Sequence, residues 1–442
     1  MTRMGLLLAV FSMSVGVTVV SAAAQEDSGT KKSGYVTEVH GPHLFALNGL
    51  LVETDNVTTY KSMDKKSGET AEQLQQAVQV GTYLEAEGSK DPVSHRLRAS
   101  LVLVREDWEK ELTGAGVIEK VMDVGAEPVF QADGYKIRIT SATELSLSNK
   151  MKSISEAGPG FWIWYKGTRD AKGVLVAERA RIIPAKYGWL VAVNSAQGEK
   201  APRQLDVPRQ GAVLDLTGSL VNPNTKLDER DAGGSCGWYK VPPDAALQDR
   251  VQNVGVRVVP AYLMKLEDND KAKIHFRFYV VEEEKVRSEL TCIPGLILVP
   301  RKVMERLQND DQLAALLADG VAWNLQRLMS GAMQNENNAA LATSMAFAAA
   351  PLAVKGGIMA GGLLAGYKLD KPLEEERGRI ALELMADGGY DPWQAPEAWR
   401  LLSDKAKKGS QPLVYPDRSG YQLGILNLQY AETRPASHSS GQ

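Results

Sequence analysis

Between residues 34 and about 185, apolar and polar positions alternate in short runs, and the runs occur twice in the same order. The first copy opens Gly34-Tyr-Val-Thr-Glu-Val39 and the second Gly116-Val-Ile-Glu-Lys-Val121. Further on, Gly81-Thr-Tyr-Leu-Glu-Ala-Glu-Gly88 answers Gly160-Phe-Trp-Ile-Trp-Tyr-Lys-Gly167. A polar turn ending at Asp91 or Asp170 follows each, and then an apolar run, Leu97 to Val104 or Val174 to Ile183. Period-two alternation, β-branched and aromatic residues and Gly/Asp/Asn turns predict short antiparallel strands closed into small barrels or sandwiches. In Phe161-Trp-Ile-Trp-Tyr165 the alternation assigns half the rings to the core.

The periodicity then changes. Residues 186–240 scatter Pro202, Pro208, Gly211, Pro223, Gly233 and Gly234 and read as an extended connector with room for one hairpin. Ala245 to Val258 has helical spacing, while His275 to Val281 and Gly295 to Val299 read as strands. Asp310 to Met329 is an amphipathic helix with Leu313, Leu316, Leu317, Val321, Leu325 and Leu328 on one stripe, and Glu374 to Ala386 is another. Between them, Ala339 to Gly366 is almost uncharged, with small residues spaced for close helix approach at Gly357/Gly361 and Gly362/Gly366. Pro351 and Lys355 divide it into pieces shorter than a bilayer requires. A buried or interfacial helical hairpin is expected there, and membrane association is not required. From about 407 the chain is polar and reads as a frayed tail.

The N-terminus adds a destination. Arg3, the apolar stretch Leu6 to Val20 and Ser21-Ala22-Ala23-Ala24 form the pattern of a secretory signal peptide cleaved after Ala24. Export to a bacterial periplasm or beyond is the expectation. An oxidising compartment would let Cys236 and Cys292 form one disulfide; two buried free thiols are the other reading. Lys+Arg 51 against Asp+Glu 54 leaves no basic excess for a dedicated nucleic-acid binder. Two cysteines exclude a four-cysteine zinc ribbon. No phosphate-binding glycine loop and no Ser/His/Asp set can be assembled. The expected class is α+β: signal peptide 1–24, β modules at 34–109 and 110–186, connector 187–240, a mainly helical domain at 241–406 and a tail at 407–442.

The helical half carries, in order, Gln248-Asp-Arg-Val251, Phe276 to Val281, Pro294-Gly295 with Ile297 to Val299, Asp311 to Ala318, Leu373-Glu374, and Leu382-Glu-Leu-Met385 leading into Gly389-Tyr-Asp-Pro392. In that order these blocks resemble the HtpX-like and CAAX-prenyl-protease-like zinc metalloendopeptidases, the M-forty-eight peptidase family, especially exported members with β modules in front. The resemblance implies a gluzincin-like domain with a His-Glu-x-x-His helix, in which two histidines hold zinc and the glutamate activates its water. Here the same register reads Asp319-Gly320-Val321-Ala322-Trp323. Asp319 and Trp323 stand at the two ligand positions and Gly320 at the base. An indole N–H has no lone pair to offer a metal, and glycine cannot take a proton.

Glu374 matches the family's glutamate ligand, and Gly378 replaces the acid expected four residues later. As a lone residue Glu374 reads as a solvated or capping acid near a helix start, where the dipole favours it, rather than as a ligand. His40, His43, His95, His275 and His438 all lie away from the ligand positions. Asp319 is expected to pair with Arg377 or Arg379, and Trp323 to fill the space of metal and imidazole. No catalytic residue is intact, no cofactor is expected, and a polypeptide or envelope protein is the expected partner, so the favoured function is a non-catalytic peptide-binding scaffold. Two other readings stand beside it: an active zinc endopeptidase with a rebuilt site using Asp319 and Glu374, and an envelope structural protein working through its β modules.

Overall fold

The computed structural model describes residues 29–63, 68–105, 111–148, 151–170, 172–184, 213–214, 220–221, 239–240, 242, 244–268, 273–282, 290–291, 295–335, 366–403 and 415–433. The signal-peptide stretch, Cys236, Cys292 and residues 339–365 lie outside the described residues.

The first repeat forms β1 (Thr30–Gly41), β2 (Leu44–Leu47), β3 (Leu50–Glu53), β4 (Thr59–Ser62), α1 (Ala71–Gln76), β5 (Tyr83–Lys90) and β6 (Leu97–Val104). The second forms β7 (Glu111–Asp123), β8 (Val129–Ala132), β9 (Tyr135–Arg138), β10 (Glu144–Leu147), β11 (Trp162–Arg169) and β12 (Leu175–Ile183). In the first, β3, β2, β1, β5 and β6 are neighbours in that order, and β6 returns to pair in parallel with β3. β4 continues along the same edge of β6, so β3 and β4 act as one interrupted strand. The second repeat closes identically, with β9 and β10 sharing the edge of β12. Each is a closed five-strand barrel with the Greek-key arrangement seen in OB-type barrels. The twinning extends to irregularities: β5–β6 breaks register at Gly88 and β11–β12 at Gly167. A Cβ on Gly88 would lie 1.9 Å from the Arg98 carbonyl oxygen, and one on Gly167 2.1 Å from that of Val176, so both bulges require glycine.

Val213–Leu214, Leu220–Val221 and Tyr239–Lys240 (β13 to β15) pair as a small antiparallel sheet inside the connector. The helical half follows as α2 (Ala245–Arg257), α3 (Ala261–Lys265), β16 (Arg277–Val281), β17 (Leu290–Thr291), β18 (Leu296–Pro300), α4 (Arg301–Met304), α5 (Asp310–Asn335), α6 (Gly366–Asp387), α7 (Gln394–Ser403) and α8 (Tyr415–Gln429). β18 is central, parallel to β16 and antiparallel to β17. No described helix is long and apolar enough to cross a membrane.

Two expectations need correction. The segment after 407 is not simply a polar tail: residues 415–429 form α8, because Tyr421, Ile425 and Leu426 recur at helical spacing and are buried. Glu374 is not a helix-start acid either, since α6 begins at Gly366 and places it in the third turn.

The barrels do not hang on a tether. Tyr35 of β1, Val117 of β7 and Trp162 of β11 belong to the same buried cluster as the helical half. On α6, Glu375, Arg379, Glu383 and Asp387 recur every four residues and form one stripe. That stripe meets the barrels: Tyr35 Oη donates to Glu375 Oε1 at 3.0 Å, Arg379 bonds Asp133 at 2.9 Å, and Gln131 Nε2 donates to Asp387 Oδ2 at 2.8 Å. α8 clamps from the other side. A Cβ on Gly81 would lie 2.7 Å from Gly424 N, and Asn427 donates to the Val80 carbonyl.

Candidate functional site

α5 begins at a reciprocal cap, with Gln312 N–H donating to Asn309 Oδ1 and Gln308 N–H to Gln312 Oε1, both at 2.8 Å. It is buried on nearly all sides from Gln312 to Leu325, so its register is set by packing against β18, α6 and α7. Asn324 pins that register: its Oδ1 accepts from Gly295 N–H at the start of β18, and its Nδ2 donates to the Gly320 carbonyl, each at 2.8 Å.

This packing places Asp319 at 0% exposure. Its Oδ1 lies 3.2 Å from Nε of Arg377 on α6, and its Oδ2 lies 3.1 Å from Nη1 of Arg418 on α8. The Arg418 guanidinium also stacks over the Trp399 ring at 4.7 Å. Arg377 was one of the two expected partners. Arg379, the other, points away to Asp133, and Arg418 takes its place. Arg418 escaped the sequence reading because it lies in the segment taken for a tail; a helical pattern at Tyr421, Ile425 and Leu426 was the available signal.

Gly320 backs onto β18. A Cβ there would meet Ile297 side-chain atoms at 3.1 Å, so any larger residue requires Ile297 to move. Trp323, one turn beyond Asp319 on the same face, is half-buried, so it borders the site and does not fill it as a fully enclosed plug. Glu374 is half-buried on α6, one turn before Arg377. Gly378 faces α8, where Gln422 Nε2 donates to its carbonyl at 3.3 Å. His275 precedes β16, and His40, His43 and His95 lie in the first barrel. Among the described residues, no group of three or more His, Cys, Asp or Glu could hold a metal ion.

A second buried ionic group joins the second barrel to the helices. Arg379 donates through Nη2 to Asp133 Oδ1 at 2.9 Å and through Nη1 to Tyr421 Oη at 2.7 Å, and it covers the Tyr135 ring at 4.3 Å. Tyr165 Oη donates to Asp133 Oδ2. Burial first, and the Asp133 charge second, push the Tyr165 phenol well above its ordinary range. It remains a neutral donor at all physiological pH.

Residues 33–102, most of the first barrel, match the family model for a domain of unknown function, DUF5666. Over 179 residues, 38% of this chain, the sequence is 22% identical to the β-barrel assembly-enhancing protease of Escherichia coli and of Yersinia pestis. It is 25% identical over the same length to the corresponding protein of Vibrio cholerae. The chain spans 35% of the length of these relatives. The chain is thus similar, over part of its length, to β-barrel assembly-enhancing proteases, and it carries twin β-barrels in front of a helical region.

Proposed function

We propose that this chain is an exported metallopeptidase-like protein that works without zinc, as a scaffold holding extended polypeptide in the bacterial envelope. The observation that carries this reading is the clamp on Asp319. A catalytic zinc wants three protein ligands with free lone pairs and an open fourth position. Here Asp319, the carboxylate at the first ligand position, is committed to Arg377 and Arg418. Trp323 offers only an N–H, and Gly320 has neither a proton acceptor nor room for one without moving Ile297. Among the described residues, Asp319, Gly320 and Trp323 do not supply the ligands and base that the metal would need.

Peptide binding does not need it. Extended peptides add to an exposed sheet edge through main-chain hydrogen bonds. Of the two outer strands of the β16–β18–β17 sheet, β16 is closed at Val280, whose N–H and carbonyl are both bonded by the Gln248 amide. Among the described residues, that leaves β17 as the outer strand to which another could add. The relatives' name points to β-barrel proteins under assembly as the class of polypeptide. The core shared by both barrels and the helices favours one working unit over barrels acting alone.

The test is metal content after exposure to excess zinc and desalting, paired with binding of an unfolded outer-membrane-type polypeptide. The expected result is zinc well below one per chain and binding that chelator leaves unchanged. Near-stoichiometric zinc with chelator-sensitive cleavage would overturn the proposal in favour of a rebuilt site.

A further inference from the structure

Where β7 crosses α6, two glutamates from different parts of the fold face each other. Glu383, on the α6 stripe, is 5% exposed, and among the described residues neither of its oxygens has a hydrogen-bond donor. Glu119, on β7, borders solvent along its stem while its Oε2 is sealed and likewise without a donor. The two carboxyl groups are neighbours: Lys120, next to Glu119, reaches Asp387, one turn beyond Glu383 on α6, at 3.7 Å, and each glutamate acts on the other's charge. Two carboxylates in that position repel, in a place where water cannot screen them; a carboxyl and a carboxylate sharing one proton attract.

We propose that the second barrel is seated on α6 by a proton held between Glu119 and Glu383, so that the barrel–helix contact is a pH-dependent latch.

The surroundings supply little to replace that proton. From β7, Lys120 reaches Asp387 at 3.7 Å in an exposed pair. From β8, Gln131 donates to Asp387 and leans toward Glu383, easing its charge only in part. Asp133, in the β8–β9 turn, and Asp387, on α6, both add negative potential. Arg379, one turn before Glu383 on α6, is spent on Asp133. Tyr262 of α3 and Tyr430, just beyond α8, have phenols pushed up first by burial and then by these same acids, so they stay neutral. Burial is the larger cause for both glutamates, with the neighbouring acids next among the raising influences. It takes Glu119 from the usual 4.5 up to about 8 and holds Glu383 well above its ordinary range.

The sign follows from linkage. The folded state keeps a proton that the unfolded chain releases, so stability declines as pH rises through the window from about 4.5 to about 8. One retained proton shifts the folding equilibrium by about tenfold per pH unit across that window. Paired acids such as Asp91, whose carboxylate is held below its ordinary range chiefly by backbone N–H groups, act in the opposite direction and at lower pH.

The experiment is denaturant unfolding of the full chain at a series of pH values, for the parent, Glu383→Gln and Glu119→Gln. Glutamine keeps the shape and removes the charge. Both variants are expected to lose about one proton's worth of the parent's decline, and to exceed the parent in stability at the alkaline end. Parallel curves for parent and variants would overturn the proposal, as would variants weaker than the parent at the alkaline end. Infrared spectroscopy of the parent keeps the question open to refutation if a variant does not fold. A protonated-carboxyl stretch is expected at neutral pH and lost on alkaline titration; no such band at neutral pH would also overturn the proposal.

Discussion

Asp319 is the residue on which the molecule turns. A buried carboxylate survives only if its charge is met, and here two guanidinium groups meet it from two helices. The partners are unequal. Arg418 has a side chain 7% exposed and packed on Trp399, whereas the Arg377 side chain is 18% exposed. Removing one partner of a buried pair leaves a charge without compensation, so Arg418→Ala is expected to cost about 3 kcal/mol. Arg377→Ala, closer to solvent, is expected to cost about 1 kcal/mol. Urea unfolding with the slope held in common would check both, and equal costs would contradict the ranking. The register that puts Asp319 in place was legible, because the leucines around it repeat at helical spacing. Its second partner was not, since a lone arginine in a polar stretch carries no mark of what it will meet.

Among the elements, the twin barrels were the most legible. Alternation and turn residues located β6 at Leu97–Val104 as expected and β12 within one residue of the expected start. Both bulges demand glycine, a requirement set by a carbonyl across the sheet and visible only once the strands are paired. Gly88→Ala and Gly167→Ala are each expected to destabilise by about 3 kcal/mol, since the partner strand would have to move. Gly41→Ala, with nothing within 4 Å of a Cβ, serves as the near-neutral control in the same thermal-unfolding measurement. Helix ends were legible less well: α6 starts eight residues before the amphipathic stretch that announced it, counting from Gly366 to Glu374. α8 escaped because its apolar residues are few and its remaining positions are polar or glycine.

For the molecule as a whole, the stripe Glu375, Arg379, Glu383 and Asp387 changes meaning. Charges at that spacing usually face water. Here they face two barrels, and the charge that sequence alone assigns to solvent becomes the docking surface. Ending the chain at residue 414 would remove Arg418, the buried Tyr421, Ile425 and Leu426, and the contacts of Gly424 and Asn427 with the first barrel. Fully burying each such apolar side chain is worth about 2 kcal/mol. The shortened chain is expected to lose cooperative unfolding and to become protease-sensitive throughout; a sharp, parent-like transition would show that α8 is dispensable.

Local pattern determined the barrel repeat, the strands β16 and β18, the helices α2 and α5 and the later part of α6. Those features depend on neighbours a few residues apart, and periodicity records such neighbours. Tertiary structure decided which charges meet: Asp319 with Arg418, Arg379 with Asp133, and Glu119 with Glu383. These partners lie about a hundred residues or more apart, and only closure of the shared core brings them within reach. Charge pairing has no period along the chain; it follows from which faces the apolar stripes bury.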